Sequence, residues 1–304
     1  MKISAWQKFR SDKWGVAALI VVLLYLFTAV SVEIYDIYCR KNGMIPVYSR
    51  STAACYQPPS SVHWCGTDYQ GRDVLSRMIA GSSGALKTGL FSGIIAVAIG
   101  VSLGMIAGYC GGRTDESVVW LFSTFAAMPT LLFILAFALL MGQDFLSPGT
   151  SAVLNTLAGI INVEPGMLGV YLAIGLTGWV TLCKVIRGET MRLKNQHYIA
   201  AAKVAGVSTA TIIRRHILPN VFHLVIIYFT TLFAGAVMLE VIVSYLGLGA
   251  QTMPSWGLMI SDGQNRLWAG VWWEIGFASA ALLILVLALN VLGDSLRDAL
   301  DPRR

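Results

Sequence analysis

The chain has 304 residues, of which 56% are hydrophobic and only 12% charged, with a mean hydropathy of +0.67. A soluble domain carries roughly 25% charge, so the composition excludes a disordered chain and argues against a cytosolic enzyme. The formal charge of +6 falls between long apolar runs, as in membrane-protein loops, and forms no clustered basic face for nucleic acid.

A bilayer core takes about 20 apolar residues as helix. A basic tail, 1–13, holds Lys8, Arg10 and Lys13 and precedes an uncharged run at 16–32. No convincing small-residue cleavage site follows and more apolar runs do, so 14–33 is read as an uncleaved first span. The next segment, 34–87, is an external loop. Within it, 66–77 reads as a Gly-rich turn and a surface amphipathic helix, with Asp68 or Asp73 as cap and Arg72 or Arg77 as ion-pair partner.

Five more apolar runs follow, at 88–112, 117–143, 167–183, 221–249 and 275–293, before a tail at 294–304. Together 88–293 reads as a five-helix core. In the second span Gly100, Gly104 and Gly108 recur every four residues behind Ala96. That is the spacing of a close helix–helix contact, within the chain or against a partner. Glu240 is the one acid inside a span, and burying it bare costs several kcal/mol. It either meets a cation in transit or holds the exit of the fifth span by hydrogen bonds.

The run 145–163 is uncharged but opens Ser147-Pro148-Gly149 and is rich in Ser, Thr and Asn. With six spans and the N-terminus inside, the inner segments collect 15 of the 22 Lys and Arg. A seventh span at 145–163 would put the seven basic residues of 184–220 outside, against the positive-inside rule. The run is therefore expected to be an external interfacial or re-entrant segment. Lys184, Arg187, Arg192, Arg214 and Arg215 then anchor span ends to anionic lipid, each worth about 1 kcal/mol.

Cys39, Cys55 and Cys65 fall in the external loop. Three pairings are open in an oxidising compartment. Cys55–Cys65, flanking Pro58-Pro59, is preferred; the alternative is three reduced, buried thiols. No phosphate-binding loop, nucleophile elbow or paired metal-binding His is present. The chain carries no engine of its own.

The longest inner stretch, 184–220, contains an Ala-rich helix former from Tyr198 to Ala205, ended by Gly206. Ser208 or Thr209 is expected to cap a second helix that stops near Pro219. Tyr198-Ile-Ala200-Ala201-Ala202-Lys203-Val-Ala-Gly206-Val-Ser208, followed by His216-Ile-Leu218-Pro219-Asn, resembles the coupling-loop signature of ABC importer permeases. Three further motifs resemble the second permease subunit of the dipeptide/oligopeptide/nickel family. They are Gly66-Thr-Asp68 with Gly71-Arg72-Asp73, Ser244-Tyr-Leu-Gly247-Leu-Gly249 with Pro254-Ser-Trp256-Gly257, and Leu289-Asn-Val-Leu-Gly293-Asp294 with Arg297-Asp298-Ala-Leu-Asp301-Pro302. One departure is clear: Ala200 stands where that family usually has Glu.

The resemblance implies an all-α, six-span, type I ABC importer (MetI-like) permease in the bacterial inner membrane, with both termini cytoplasmic. It implies a homologous second permease, two ATPase subunits that hold ATP and Mg, and a periplasmic or lipid-anchored binding protein. The chain itself would bind no cofactor or metal. Tyr198, Ala200, Ala201, Ala202, Lys203, Gly206, Ser208, Leu218 and Pro219 would meet an ATPase; Glu240, Ser244 and Trp256 would line a pathway or gate. A short peptide is the expected cargo, with nickel or a metal chelate, glutathione or another small solute open. A secondary transporter would need inverted repeats and a midplane ion site, and an intramembrane enzyme a nucleophile–base pair or paired His at depth. A sensor or exporter built on the same core stays open through Ala200.

Overall fold

The computed structural model describes residues 5–141, 148–249 and 253–300. Among these the regular structure is helical, with one isolated bridge between Thr67 and Asp73. A short helix α1 (Ala5–Ser11) leads into α2 (Lys13–Lys41), the first span, whose backbone is capped by Asp12. Four other helices are long and apolar enough to cross a bilayer: α3 (Val74–Cys110), α7 (Pro165–Lys194), α10 (Leu218–Tyr245, preceded by α9, Thr209–Ile212) and α12 (Trp273–Leu300). The described elements are completed by α4 (Gly112–Ala127), α5 (Thr130–Leu140), α6 (Pro148–Ile161), α8 (His197–Val204) and α11 (Trp256–Gln264).

Two sequence expectations change here. The run 117–143 is not one straight helix. It is α4 and α5, bent by 91°, because Pro129 lacks an N–H and forces Met128 into extended backbone (φ −82°, ψ 134°). Counted as one broken span, the pair makes six. The helix that carries the second span also starts earlier than the uncharged run at 88: α3 begins at Val74, and its 37 residues include all of 77–87. Arg77 therefore lies on a helical extension of the span rather than in a loop before it, and Lys87 stands where the uncharged run begins.

The bundle is organised around α3 against α7. Gly100, Gly104 and Gly108 face α7 within the same chain. A Cβ on each would come within 2.9, 2.8 and 2.6 Å of the carbonyl oxygens of Trp179, Cys183 and Arg187. Gly175 answers from α7, where a Cβ would lie 2.7 Å from Ile95. In lipid there is no solvent to drive helices together, so close approach of backbones supplies the attraction. Ser92 Oγ, also on α3, donates to the Tyr171 carbonyl of α7 at 3.1 Å. On the other side, α2 packs along α12 and α3: the Tyr25 hydroxyl donates to the Ala281 carbonyl at 2.9 Å, and Ser295 Oγ donates to Asp12 at 2.5 Å. The start of α2 and the end of α12 thus lie on one side of the bundle.

The described part of 145–163 is the uncharged helix α6. It is tied down at its C-terminal end. Asn162 Nδ2 donates to Glu33 of α2 at 3.0 Å, and Lys87 Nζ of α3 donates to the Asn162 carbonyl at 2.8 Å. Lys87 and Glu33 are themselves paired at 2.5 Å. Starting at Lys13, Glu33 stands about 30 Å along α2, the thickness of a hydrocarbon core, so this knot marks the opposite membrane boundary.

Substituting Val at Gly104 is expected to lower the stability of the purified protein by about 1–3 kcal/mol, as overpacking does. Gly84→Ala, where a Cβ meets open space, leaves the thermal unfolding midpoint unreduced. Equal midpoints for the two variants would show that α3 and α7 do not depend on that contact.

Candidate functional site

Beyond Cys183 the α7 helix runs on through Arg187 to Lys194, and α3 ends beside it at Cys110. Arg187 pairs with Asp115 at the start of α4 (Nη2 to Oδ2, 2.7 Å), which fixes where the third span leaves the bundle. Helix α8 then crosses this end. It stops at Gly206, whose φ of +75° suits glycine, and Val207 N–H donates back to the Ala202 carbonyl at 3.1 Å.

Ser208 caps the next helix by accepting from Thr211 N–H at 3.4 Å. The expected stop near Pro219 does not occur. A wide π turn at Ile213–Ile217 carries α9 into α10 without a break, and the helix runs on through Pro219 at the cost of the one backbone hydrogen bond that its missing N–H cannot make.

The segment is anchored by isoleucines. Ile199, Ile212 and Ile217 are fully buried with Leu182, Ile186, Val101 and Val221, so α8 and the π turn share one apolar core with α3, α7 and α10. Facing away are Ala200, Ala201, Lys203, Ala205 and Gly206, all exposed, with Val204 at 91% exposure. Ala202 is half-buried, Ser208 and Pro219 are exposed, and Leu218 is half-buried in the anchoring core. Exposed Tyr198 packs beside His216 (ring centroids 6.4 Å) and accepts from Asn220 Nδ2 at 3.4 Å, bracing α8 against the start of α10.

A second feature was not visible in the sequence motifs: one face of α10 is open. Thr231, Met238, Ile242 and Tyr245 are exposed along it, with Gly235 partly so. Two hollows meet on this face at Thr231. One, of about 140 Å³, is bordered by Thr130, Thr177, Gly93 and Gly235. The other, of about 540 Å³, runs toward the α8 end and is bordered by Tyr228, Asn290, Asp294 and Arg297. The result is a groove of small and hydroxyl side chains at mid-bundle with charge at one mouth. The spacing 231, 235, 238, 242, 245 is the signal that could have found it.

The three proposed pathway residues do not line that face. Glu240 (1% exposed) and Ser244 point into the bundle, where Ser244 Oγ donates to Glu240 Oε1 at 2.6 Å. Glu240 borders a separate small cavity with Lys87, Tyr171, Tyr48, Met253 and Ser255. Trp256 is a peg. Its Nε1 donates to the Met78 carbonyl at 2.9 Å, its ring meets Tyr25 edge-on, and Gly81 leaves the room it fills.

The 66–77 motif is structural too, a turn followed by a helix with the expected acids as cap and ion-pair partner, but the helix is the start of α3 and Arg77 on it is buried. Its backbone folds over itself through the Thr67–Asp73 bridge, and Asp73 caps α3 by accepting from Ser76 N–H at 2.8 Å. Asp68 is fully buried. It accepts from the N–H groups of Gln70 and Arg72 at 2.8 and 2.9 Å and from Arg72 Nε at 2.6 Å, with the Arg77 guanidinium at 3.5 Å. Trp273 Nε1 donates to the Thr67 carbonyl at 3.1 Å and joins this loop to α12. Missed in the sequence was Glu274, 1% exposed beneath the same cluster.

The preferred Cys55–Cys65 bridge is corrected: both are free thiols, as are Cys39, Cys110 and Cys183. Cys55 is exposed, whereas Cys65 is buried in the core under Trp273 and Val74. Burial, with Asp73 nearby, pushes the Cys65 thiol above its ordinary pKa, which keeps it protonated and unreactive.

The sequence profile of binding-protein-dependent transport system inner membrane components matches residues 100–304. The dipeptide transport system permease protein DppC of Bacillus subtilis is 33% identical over 300 residues, covering 98% of this chain and 85% of its own. The oligopeptide transport system permease protein OppC of the same organism is 31% identical, covering 99% and 90%. The glutathione transport system permease protein GsiD of Pectobacterium atrosepticum is 32% identical, covering 98% and 90%.

Asp68→Ala is expected to destabilise the protein by about 3–5 kcal/mol, because it strands two poorly solvated guanidiniums; a loss below about 1 kcal/mol, the range of surface pairs, would refute the buried cluster. Cys55 is expected to react with a maleimide in the folded protein while Cys65 is protected. Protection of both without reductant, relieved by reductant, would restore the disulfide.

Proposed function

The chain belongs to the binding-protein-dependent transport system inner membrane components, and we propose on that premise that it is the permease subunit of an ATP-driven importer of short peptides. The observation that carries the reading is the segment 197–219. It presents an exposed apolar knob at Val204 while its buried isoleucines reach into α3, α7 and α10. A push on the knob is therefore delivered to three spans at once.

Two ATPase subunits bind and hydrolyse ATP with Mg; this chain holds neither. One of them receives α8. Closure of the ATPases moves α8, and the core it shares with α3, α7 and α10 moves as a body, switching the bundle between inward-open and outward-open arrangements. The open face of α10 forms half of the pathway and a homologous second permease supplies the other half. Its hydroxyls and small residues suit a peptide backbone, offering hydrogen bonds without selecting side chains. A binding protein delivers cargo on the far side, near α6 and the 42–73 loop. Both termini are cytoplasmic, as the bias of 15 of 22 basic residues toward that side supports. The names of the relatives favour di- and oligopeptides; glutathione, itself a short peptide, is the second reading.

Proteoliposomes containing this chain, the second permease, the ATPases and the binding protein are expected to take up labelled dipeptide only with ATP. Thr231→Trp, which plugs the groove, is expected to cut uptake at least about tenfold, about 1.4 kcal/mol on the barrier, while basal ATP hydrolysis persists. Uptake without ATP, or driven by an ion gradient alone, would overturn the assignment. Stimulation by glutathione and not by dipeptides would select the second cargo.

A further inference from the structure

The docking segment is uniformly positive. From Thr190 to Asn220 the sequence contains no Asp or Glu but holds Arg192, Lys194, Lys203, Arg214 and Arg215. Arg192 is paired with Glu189. Among the described residues the other four make no ion pair. Lys194 and Lys203 lie over the Tyr109 ring instead, at 5.8 and 5.1 Å, and Lys203, Arg214 and Arg215 are exposed. On the same segment, next to Lys203, the Val204 side chain stands in solvent with Ala200, Ala201 and Ala205 also exposed.

Lipid headgroups would satisfy the cations but not the valine, and they are too far away. From Cys183, the last uncharged residue of the span, α7 continues 11 residues to Lys194, about 16 Å at 1.5 Å per residue. The headgroup layer beyond the hydrocarbon is only about 5–8 Å deep on each side. The α8 surface therefore faces protein-accessible water past the phosphates, whereas Lys184 sits among them.

We infer that the partner received at α8 is an ATPase subunit whose docking cleft has an apolar floor, taking Val204, and an acidic rim facing Lys203, Arg214 and Arg215. This rests on the reading of the segment as the ATPase contact and adds the chemistry of the cleft. Ala200 is part of the same logic. It is exposed beside the knob, so an acid there would introduce the opposite sign; with Ala the surface keeps one sign. A cleft built with basic residues to grip an acid would meet only like charge here, which is a device for rejecting the wrong ATPase.

The test uses the whole transporter, co-expressed and purified through this chain, with the second permease and both ATPases quantified. Reversing the rim with Lys203→Glu, Arg214→Glu and Arg215→Glu is expected to lower ATPase recovery at least about tenfold with second-permease recovery unchanged. The neutral set, Lys203→Gln, Arg214→Gln and Arg215→Gln, is expected to give an intermediate loss and a flatter dependence on salt. Reversing acidic cleft residues of the ATPase to Lys is expected to restore binding to the Glu variant, which a purely structural effect would not do. Undiminished ATPase recovery in the Glu variant, with loss of flotation on phosphatidylglycerol vesicles but not phosphatidylcholine ones, would overturn the inference in favour of lipid. Wild-type chain that retains the second permease but no ATPase would overturn the functional reading itself.

Discussion

The structure depends on how closely α3 and α7 can approach. Their backbones come near enough that three glycines of α3 lie against carbonyl oxygens of α7, a contact that tolerates no side chain. In water such a seam would be a minor part of a core; in a bilayer, where burying leucine against leucine gains nothing over lipid, it is the main source of specificity. Because α7 then continues past the seam to carry α8, the seam also sets the position of the segment 197–219. Under the proposed coupling role the seam's rigidity is what would transmit a displacement of α8 into the bundle.

Charge is handled in two contrasting ways at the two ends of this frame. On the far side it is buried and consumed internally: Asp68 with Arg72 and Arg77, and Lys87 with Glu33 and the Asn162 carbonyl. Both knots cross-link a span to a loop, so they hold α3 to the 42–73 segment and to the end of α6. On the α8 side, among the described residues, Lys194, Lys203, Arg214 and Arg215 make no ion pair, and the last three are exposed.

Much of this was legible in the residues. The six spans, the GxxxG-like spacing and the Ala-rich helix closed by Gly206 follow from hydropathy, small-residue periodicity and cap chemistry, and the structure places them accordingly. The departures have local causes. Pro129 breaks the third span through its missing N–H and its restriction of Met128, and hydropathy, which averages over the run, cannot register a 91° bend. Val74 starts α3 well before the uncharged run because Arg77 and Lys87 are paired inside the fold, and a charge count treats any cation as a loop residue. From the sequence Glu240 is open to two roles, cation contact or fastening of the fifth-span exit, and its bond from Ser244 fits the second. Trp256, grouped with it by motif, packs inside the bundle against Met78, Tyr25 and Gly81. The open face of α10 was hidden because Thr, Gly and Met are unremarked in an apolar helix until the neighbours on either side are known to be missing.

The π turn at Ile213–Ile217 has a mechanical corollary. A turn of this kind holds one residue more than the α-helix around it, so α9 and everything N-terminal to it are out of phase with α10. Tightening that turn would screw the attached lever by one residue, about 100° of rotation and 1.5 Å of travel, without unwinding either helix.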